Sequence, residues 1–246
     1  MMSQVAVVTG GGSGIGRACA VTLAKAGFDV CVVGRKMPAL SETVDLMGSG
    51  IAIACDVTAP VDVDALFAKI EADHGRLDLL FNNAGTNVPA APIGDISPEE
   101  FLQVMNVNVY GAFLAARGAF NLMRHQAPQG GRIINNGSIS AAVPRPGSAP
   151  YTSSKHAITG LTRSISLDGR PYGIACGQID IGNTASDMTT QMGLGVPQAD
   201  LSIKPEPVMD VKNVADTVLH MAQLPLSANV QFVTVMATNM PFIGRG

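Results

Sequence analysis

Apolar residues in this chain follow two rhythms. Short, nearly unbroken apolar runs occupy positions 5–8, 30–33, 51–54 and 77–81, with further strand-like stretches at 132–135, 173–179 and 232–235. Runs of that length without polar alternation predict strands buried on both faces. Between them, apolar positions recur every three or four residues at 17–26, 38–47, 61–73, 151–167 and 211–223, which predicts amphipathic helices. Gly27 is placed to stop the first of these. Another helix starts at Ser97-Pro98-Glu99-Glu100, with an N-cap serine, a proline at the first helical position and a capping-box glutamate. It is expected to run to about position 125 with a kink near Gly111. Seven strands alternating with helices predict an α/β fold, a doubly wound seven-stranded parallel sheet with helices on both faces. No linker divides the chain, so residues 1–246 are expected to form one domain.

Composition narrows the function classes. Of 246 residues 47% are hydrophobic and 14% charged, which fits a core-rich globular chain rather than a disordered one. A formal charge of −3 leaves no electrostatic footprint for nucleic acid or an anionic membrane. No apolar run reaches membrane-spanning length, and the first residues lack a basic region followed by an apolar signal core. The chain is therefore expected to be cytoplasmic. Cys19, Cys31, Cys55 and Cys176 sit singly in apolar runs and read as buried free thiols. His74, His125, His156 and His220 show no metal-ligand spacing, and no metal is expected.

Two stretches carry chemistry. The first strand runs into Thr9-Gly10-Gly11-Gly12-Ser13-Gly14-Ile15-Gly16 and then a helix. Glycines there let the backbone approach a phosphate, and the helix start offers unpaired N–H groups and a positive dipole end. In the first turn of an alternating chain this predicts a Rossmann-type dinucleotide site. The second strand ends in Gly34-Arg35-Lys36, with cations where an NAD site places a carboxylate on the ribose hydroxyls. The expected cofactor is NADP, with NAD possible. Tyr151 and Lys155 are four residues apart, one turn along one helix face. A phenol with an unperturbed pKa of about 10 exchanges protons poorly near neutrality; an adjacent ammonium lowers that pKa and makes Tyr151 a usable general acid or base.

With further motifs in the same order, the chain resembles the short-chain dehydrogenase/reductases, in their compact single-domain branch, over nearly its whole length. The resemblance makes Gly10, Ser13, Gly14, Ile15 and Gly16 the cofactor turn and sets Asp56 and Val57 against adenine. Asn82-Asn83-Ala84-Gly85 matches the family's NNAG motif, so Asn83 and Gly85 are expected to line the cofactor site. Asn108, in Asn108-Val109-Tyr110-Gly111, is similar to the family's active-site asparagine; Asn106 is close by, but only Asn108 has a glycine three residues later. Ser138 lies thirteen residues before Tyr151, the separation expected of the catalytic serine, with Ser140 the second choice. The implied reaction moves a hydride between NADP(H) and a small-molecule carbonyl or alcohol. Tyr151 transfers the proton, Ser138 stabilises the developing charge, and Lys155 supports Tyr151 and bonds the nicotinamide ribose. Asn108 anchors a water that resupplies Lys155. A homotetramer is also implied.

One stretch departs from the family pattern. Asp180-Ile181-Gly182-Asn183-Thr184-Ala185-Ser186 keeps the glycine, but Ile181 replaces a proline and Ser186 stands for a threonine. Thr184 and Ser186 are the expected nicotinamide-side contacts, on a loop without proline's rigidity. Ala175-Cys176-Gly177-Gln178 also departs from the usual approach to that loop. The segment at about 187–209, with Met188, Met192 and Met209 and few charges, is expected to cover the substrate. Val143, Pro144 and Arg145 are candidate pocket walls, Arg145 either meeting an anionic substrate or sitting in a solvated loop. The rival reading is a non-catalytic NADP(H) sensor or scaffold; such a protein has no need of Asn108, Ser138, Tyr151 and Lys155 together.

Overall fold

A computed structural model describes residues 3–185, 195–200 and 202–242. The chain runs β1 (Val5–Thr9), α1 (Gly14–Lys25), β2 (Asp29–Gly34), α2 (Met37–Met47), β3 (Ile51–Ala54), α3 (Pro60–His74) and β4 (Leu79–Asn82). It continues through α4 (Pro98–Met105), α5 (Ala112–His125), β5 (Gly131–Asn136), α6 (Ala149–Asp168), β6 (Ile174–Ile181), the short β7 (Val196–Pro197) and β8 (Ile203–Lys204), α7 (Val211–Gln223) and β9 (Phe232–Val235). Seven strands form one sheet in the order β3-β2-β1-β4-β5-β6-β9, all pairings parallel. The order reverses between β1 and β4, and in such sheets the crevice beyond the strands' carboxyl ends at the reversal is where ligands bind.

Successive strand residues point to opposite faces, so the unbroken apolar runs feed two cores. Val8, Val32, Phe81, Ile134 and Ile179 pack under α1, α2 and α7; Val7, Cys31, Leu80, Ile133 and Cys176 pack under α3 and α5. Each such side chain, fully buried, contributes roughly 1.5–3 kcal/mol. Arg132, 2% exposed at the start of β5, donates from Nη2 to the carbonyls of Leu224, Pro225 and Ala228 just beyond α7. A guanidinium there satisfies carbonyls at the helix end.

The capping box forms as expected: Glu100 N donates to Ser97 Oγ at 3.1 Å, and Ser97 N to Glu100 Oε2 at 2.9 Å. The helix it starts is not continuous, because Asn106–Gly111 is a π-helical segment between α4 and α5. The kink expected near Gly111 is a widened turn that covers the whole segment and turns Asn108 inward, 3% exposed. Gly111 is needed because a methyl there would sit 2.9 Å from Val57 Cγ2. Helix α1 begins at Gly14, three residues before the predicted start, since the cofactor-turn glycines already take up its first turn. The antiparallel pair β7–β8 was not foreseen; two strands of two residues each leave no periodicity to read.

Candidate active site

The glycine turn leaves β1 at the sheet's reversal. Thr9, fully buried, accepts from Asn83 N at 2.9 Å and Ala84 N at 3.0 Å, tying β1 to the segment after β4. Gly10 and Gly14 take φ of +66° and +49°, the left-handed region that glycine adopts without strain. A methyl on Gly16 would lie 2.2 Å from Gly10 O, so the turn closes only around a hydrogen. Ser13 precedes α1 with no side-chain cap bond, which leaves first-turn amides for an anionic ligand. The donors and the cradle both suit a dinucleotide's phosphates.

The other end of the site is carried by α6 and the turn after β5. Tyr151 and Lys155 are one turn apart, as their spacing requires, with Nζ 5.4 Å from the phenol ring centroid. Lys155, 7% exposed, donates to Asn136 O at 2.7 Å. Asn136 Nδ2 donates to Asn83 Oδ1 at 2.8 Å, and Asn83 Nδ2 to Thr9 O at 2.9 Å, so one chain of bonds links Lys155 to the glycine turn. Ser138 caps the short helical turn Ile139–Ala141: its Oγ accepts from Ser140 N at 3.1 Å, which leaves the hydroxyl proton to be aimed elsewhere. Ser140 supplies that amide, and both serines line the same cavity. Asn108 lies behind them. Its Oδ1 accepts from Thr86 N at 2.7 Å, and its Nδ2 donates to Thr86 O at 2.9 Å and Ser154 Oγ at 3.1 Å; Ser154 in turn donates to Tyr151 O at 2.7 Å.

Two features of the site were not legible in the sequence, the first of them in β6. Gln178 and Asp180 alternate onto the α6 side of the sheet. Asp180 Oδ1 accepts from Ser138 N at 3.0 Å and Gln178 Nε2 at 2.7 Å. Burial raises its carboxyl pKa, opposed by those two bonds and by the Lys155 charge. A methyl on Gly137 would sit 2.1 Å from that oxygen, so the glycine before Ser138 makes room for the carboxylate. Two polar residues in an otherwise apolar strand were the available signal. The second feature is Glu206, 5% exposed in the segment expected to be poor in charge. It accepts from Arg145 Nη2 and, at 2.9 Å, from Asn183 Nδ2 on one oxygen, and from Gln198 Nε2 at 3.1 Å on the other. Arg145 also donates to Asn183 Oδ1 at 2.8 Å. Neither earlier alternative for Arg145 describes this: it lines the pocket, yet its charge is balanced from within the chain. A lone glutamate among prolines offered no signal.

These parts open onto one cavity of about 390 Å³. Its wall includes Gly10, Ser13, Gly14, Ile15 and Gly16 at one end, Asn83 and Gly85 along its length, and Ser138, Tyr151, Lys155 and Thr184 at the other. Thr184 donates to Gly182 O at 3.1 Å. Arg35, Asp56 and Val57 lie outside the wall, where β2 and β3 end. Asp56 accepts from Thr58 N and Oγ1, and those bonds, with nearby Arg35, hold its carboxyl below the usual range. Ser186, Met188 and Met192 lie outside the described residues. Met209 belongs to the core rather than to a pocket wall.

A Cys-His-Asp alignment occurs at the start of β2, with His74 Nδ1 3.3 Å from Asp29 Oδ2 and Nε2 3.7 Å from Cys31 Sγ. Cys31 is fully buried, and burial, aided by Asp29 and Asp73, pushes its thiol up to about 12, so the alignment presents no accessible thiolate. Among the described residues no group of three or more His, Cys, Asp or Glu gathers to hold a metal ion, and no helix is long and apolar enough to cross a membrane.

Comparison with known proteins fits this geometry. The sequence model of the short chain dehydrogenases matches residues 4–195. A 3beta-hydroxysteroid dehydrogenase of Mediterraneibacter gnavus is 35% identical over 190 residues, 76% of this chain and 68% of the relative. The 3-ketoacyl-(acyl-carrier-protein) reductase of Brucella melitensis complexed with NADH superposes with a TM-score of 0.86, covering 96% of this chain and 98% of that one at 24% identity. An actinorhodin polyketide ketoreductase variant with NADPH also gives 0.86, covering 95% and 97% at 26% identity. With its parallel sheet, glycine turn and Tyr-Lys helix, this chain belongs to the short-chain dehydrogenase/reductase family of oxidoreductases.

Proposed function

We propose that the protein interconverts a carbonyl compound and its alcohol with NADP(H), using Tyr151 as general acid and base. The observation that carries this reading is that Tyr151, Ser138 and Lys155 open onto the same cavity that begins at the glycine turn. A nicotinamide bound between the two ends supplies or accepts the hydride. The chain's residues do the rest. The substrate oxygen lies between Tyr151 and Ser138; Tyr151 delivers a proton to it or removes one, and Ser138 donates a hydrogen bond where charge develops. Lys155, pinned by Asn136 O, stabilises negative charge on Tyr151 and bonds the nicotinamide ribose. Asn108 Oδ1 keeps a second lone pair for a water through which Lys155 recovers its proton. Asp56, Val57, Asn83 and Gly85 hold the adenosine half and its approach, and Thr184 and Ser186 the nicotinamide side. Because Glu206 already balances Arg145, the preferred substrate is uncharged where it meets that wall. Consumption of NADPH and of NADH across a panel of ketones, β-ketoacyl thioesters and sugars tests the reading; no turnover of any carbonyl with either cofactor would count against it.

Arg35 and Lys36 support NADP over NAD, since a guanidinium matches a 2′-phosphate in geometry as well as charge. Arg35→Ser is expected to weaken NADPH at least about tenfold while changing NADH less than about twofold. Equal losses for both cofactors, measured by fluorescence titration, would remove Arg35 from the 2′-phosphate site.

A homotetramer is part of the same reading. Leu102, Tyr110, Phe113 and Leu167 on α4 to α6 and the π-helical segment between α4 and α5 are 63, 42, 45 and 59% exposed, an apolar face that a partner subunit would cover. The apolar tail is not needed for it: Met240 is 4% exposed within its own domain, and Met236 and Phe242 pack against the same core. Light scattering at micromolar concentration should give about four times the 25.4 kDa chain mass, and a monomer would refute the assembly.

A further inference from the structure

The phosphate turn contains three consecutive glycines, Gly10 to Gly12, followed by Ser13. Glycine peptides rotate with little steric resistance, and a rotated peptide would present its carbonyl, not its N–H, to an anionic ligand. Something must hold the orientation. Arg17 and Thr43 are placed to do so. Arg17 Nη2 donates to Gly12 O at 2.5 Å and also reaches Ala39 O at 3.2 Å and Glu42 Oε2 at 2.9 Å. Arg17 Nε donates to Thr43 Oγ1 at 3.0 Å. Thr43 is fully buried, and its single proton is shared between Gly11 O at 2.9 Å and Ala39 O at 3.1 Å.

Both carbonyls of the turn are thus drawn toward α2. In a planar trans peptide the C=O and the following N–H point in opposite directions. Fixing Gly11 O and Gly12 O on the α2 side therefore sends the N–H groups of Gly12 and Ser13 the other way, to the side where Ser13 and Gly14 line the cavity. It also turns carbonyl dipoles away from an anion and amide dipoles toward it. The anchor is α2 itself, which directly follows Arg35 and Lys36, so the clamp sets the spacing between Arg35 and the turn.

We infer that Arg17 and Thr43 are positioning residues that hold the Gly11-Gly12-Ser13 peptides in the orientation that receives the adenosine end of the cofactor. The inference rests on the NADP(H) reading above. Arg17→Ala and Thr43→Val, the second nearly isosteric, should each raise the Kd for NADPH about tenfold or more, since a charge-assisted or buried hydrogen bond is lost from each. The melting temperature of the cofactor-free protein should fall only by the few degrees that the loss of one buried hydrogen bond costs. Arg17→Lys, which keeps the charge but not the planar fork, should recover only part of the affinity. Titration of intrinsic NADPH fluorescence with wild type and variants, beside thermal melts without cofactor, decides the matter. Wild type binding NADPH with both variants equal to it overturns the clamp alone. Variants that melt far lower yet bind normally once folded overturn it too, by reducing both residues to general stability. Wild type binding neither NADPH nor NADH overturns the cofactor reading and the clamp with it.

Discussion

Tyr151→Phe is expected to lower kcat for carbonyl reduction by about 10²- to 10⁴-fold, the range contributed by a positioned general acid. NADPH affinity should stay within about twofold, since the cofactor contacts do not depend on the phenol oxygen alone. The substitution keeps the ring, its place in the first turns of α6 and the Lys155 contact at 5.4 Å, and removes only the oxygen that carries the proton. Ser138 remains to polarise the substrate, which accounts for residual turnover. The check is stopped-flow NADPH oxidation, with cofactor affinity measured in parallel. Near-normal turnover would sink the assignment; loss of cofactor binding with loss of turnover would show that the phenol serves the site's structure rather than its chemistry.

The second large effect is expected at Gly16. A methyl there would meet Gly10 O at 2.2 Å, Asn83 Nδ2 at 2.6 Å and Gly10 C at 2.8 Å. Two of these are backbone atoms of the turn itself, and the third belongs to the bond chain from Thr9 to Lys155. Relief requires opening the turn, so Gly16→Ala should cost NADPH affinity at least about a hundredfold, an overpacking strain of a few kcal/mol. Gly160→Ala is the control. That glycine is exposed on α6 with nothing within 4 Å of the added methyl, and alanine there should stabilise by roughly 0.5–1 kcal/mol with no change in binding. Fluorescence titration and thermal melts of both variants separate crowding at the cofactor turn from a general effect of adding a methyl group. Unchanged affinity in Gly16→Ala would mean that the turn yields without cost.

Where the site was legible in the sequence, local geometry was enough. Tyr151 and Lys155 needed only the helix repeat to become neighbours, and the capping box at Ser97 and Glu100 needed only its own four residues. The glycine turn carried its meaning in residue type, because close backbone approach excludes every side chain. What escaped were contacts between segments far apart in the chain. Asp180 meets Ser138 across forty-two positions and Glu206 meets Arg145 across sixty-one. Arg17 reaches Thr43 across twenty-six, and the sequence marked it only as a helical residue. In the segment at 187–209, expected to be a methionine-rich covering, Val196 and Pro197 line the cavity and a buried carboxylate, Glu206, ties the described part together.

The chain by itself determined the order of the seven strands of the main sheet and of the helices between them, because hydrophobic periodicity is written residue by residue and a strand buried on both faces leaves an unbroken apolar run. It also determined which residues carry chemistry at short spacing. Only the tertiary structure decided that β1 and β4 pair at the reversal point, that the carbonyls of the glycine turn face α2, and that the charge of Arg145 is balanced by Glu206. Those outcomes depend on which buried polar groups become neighbours when the sheet assembles. A buried polar group must find a partner wherever the fold provides one, and that choice is not local to any stretch of sequence.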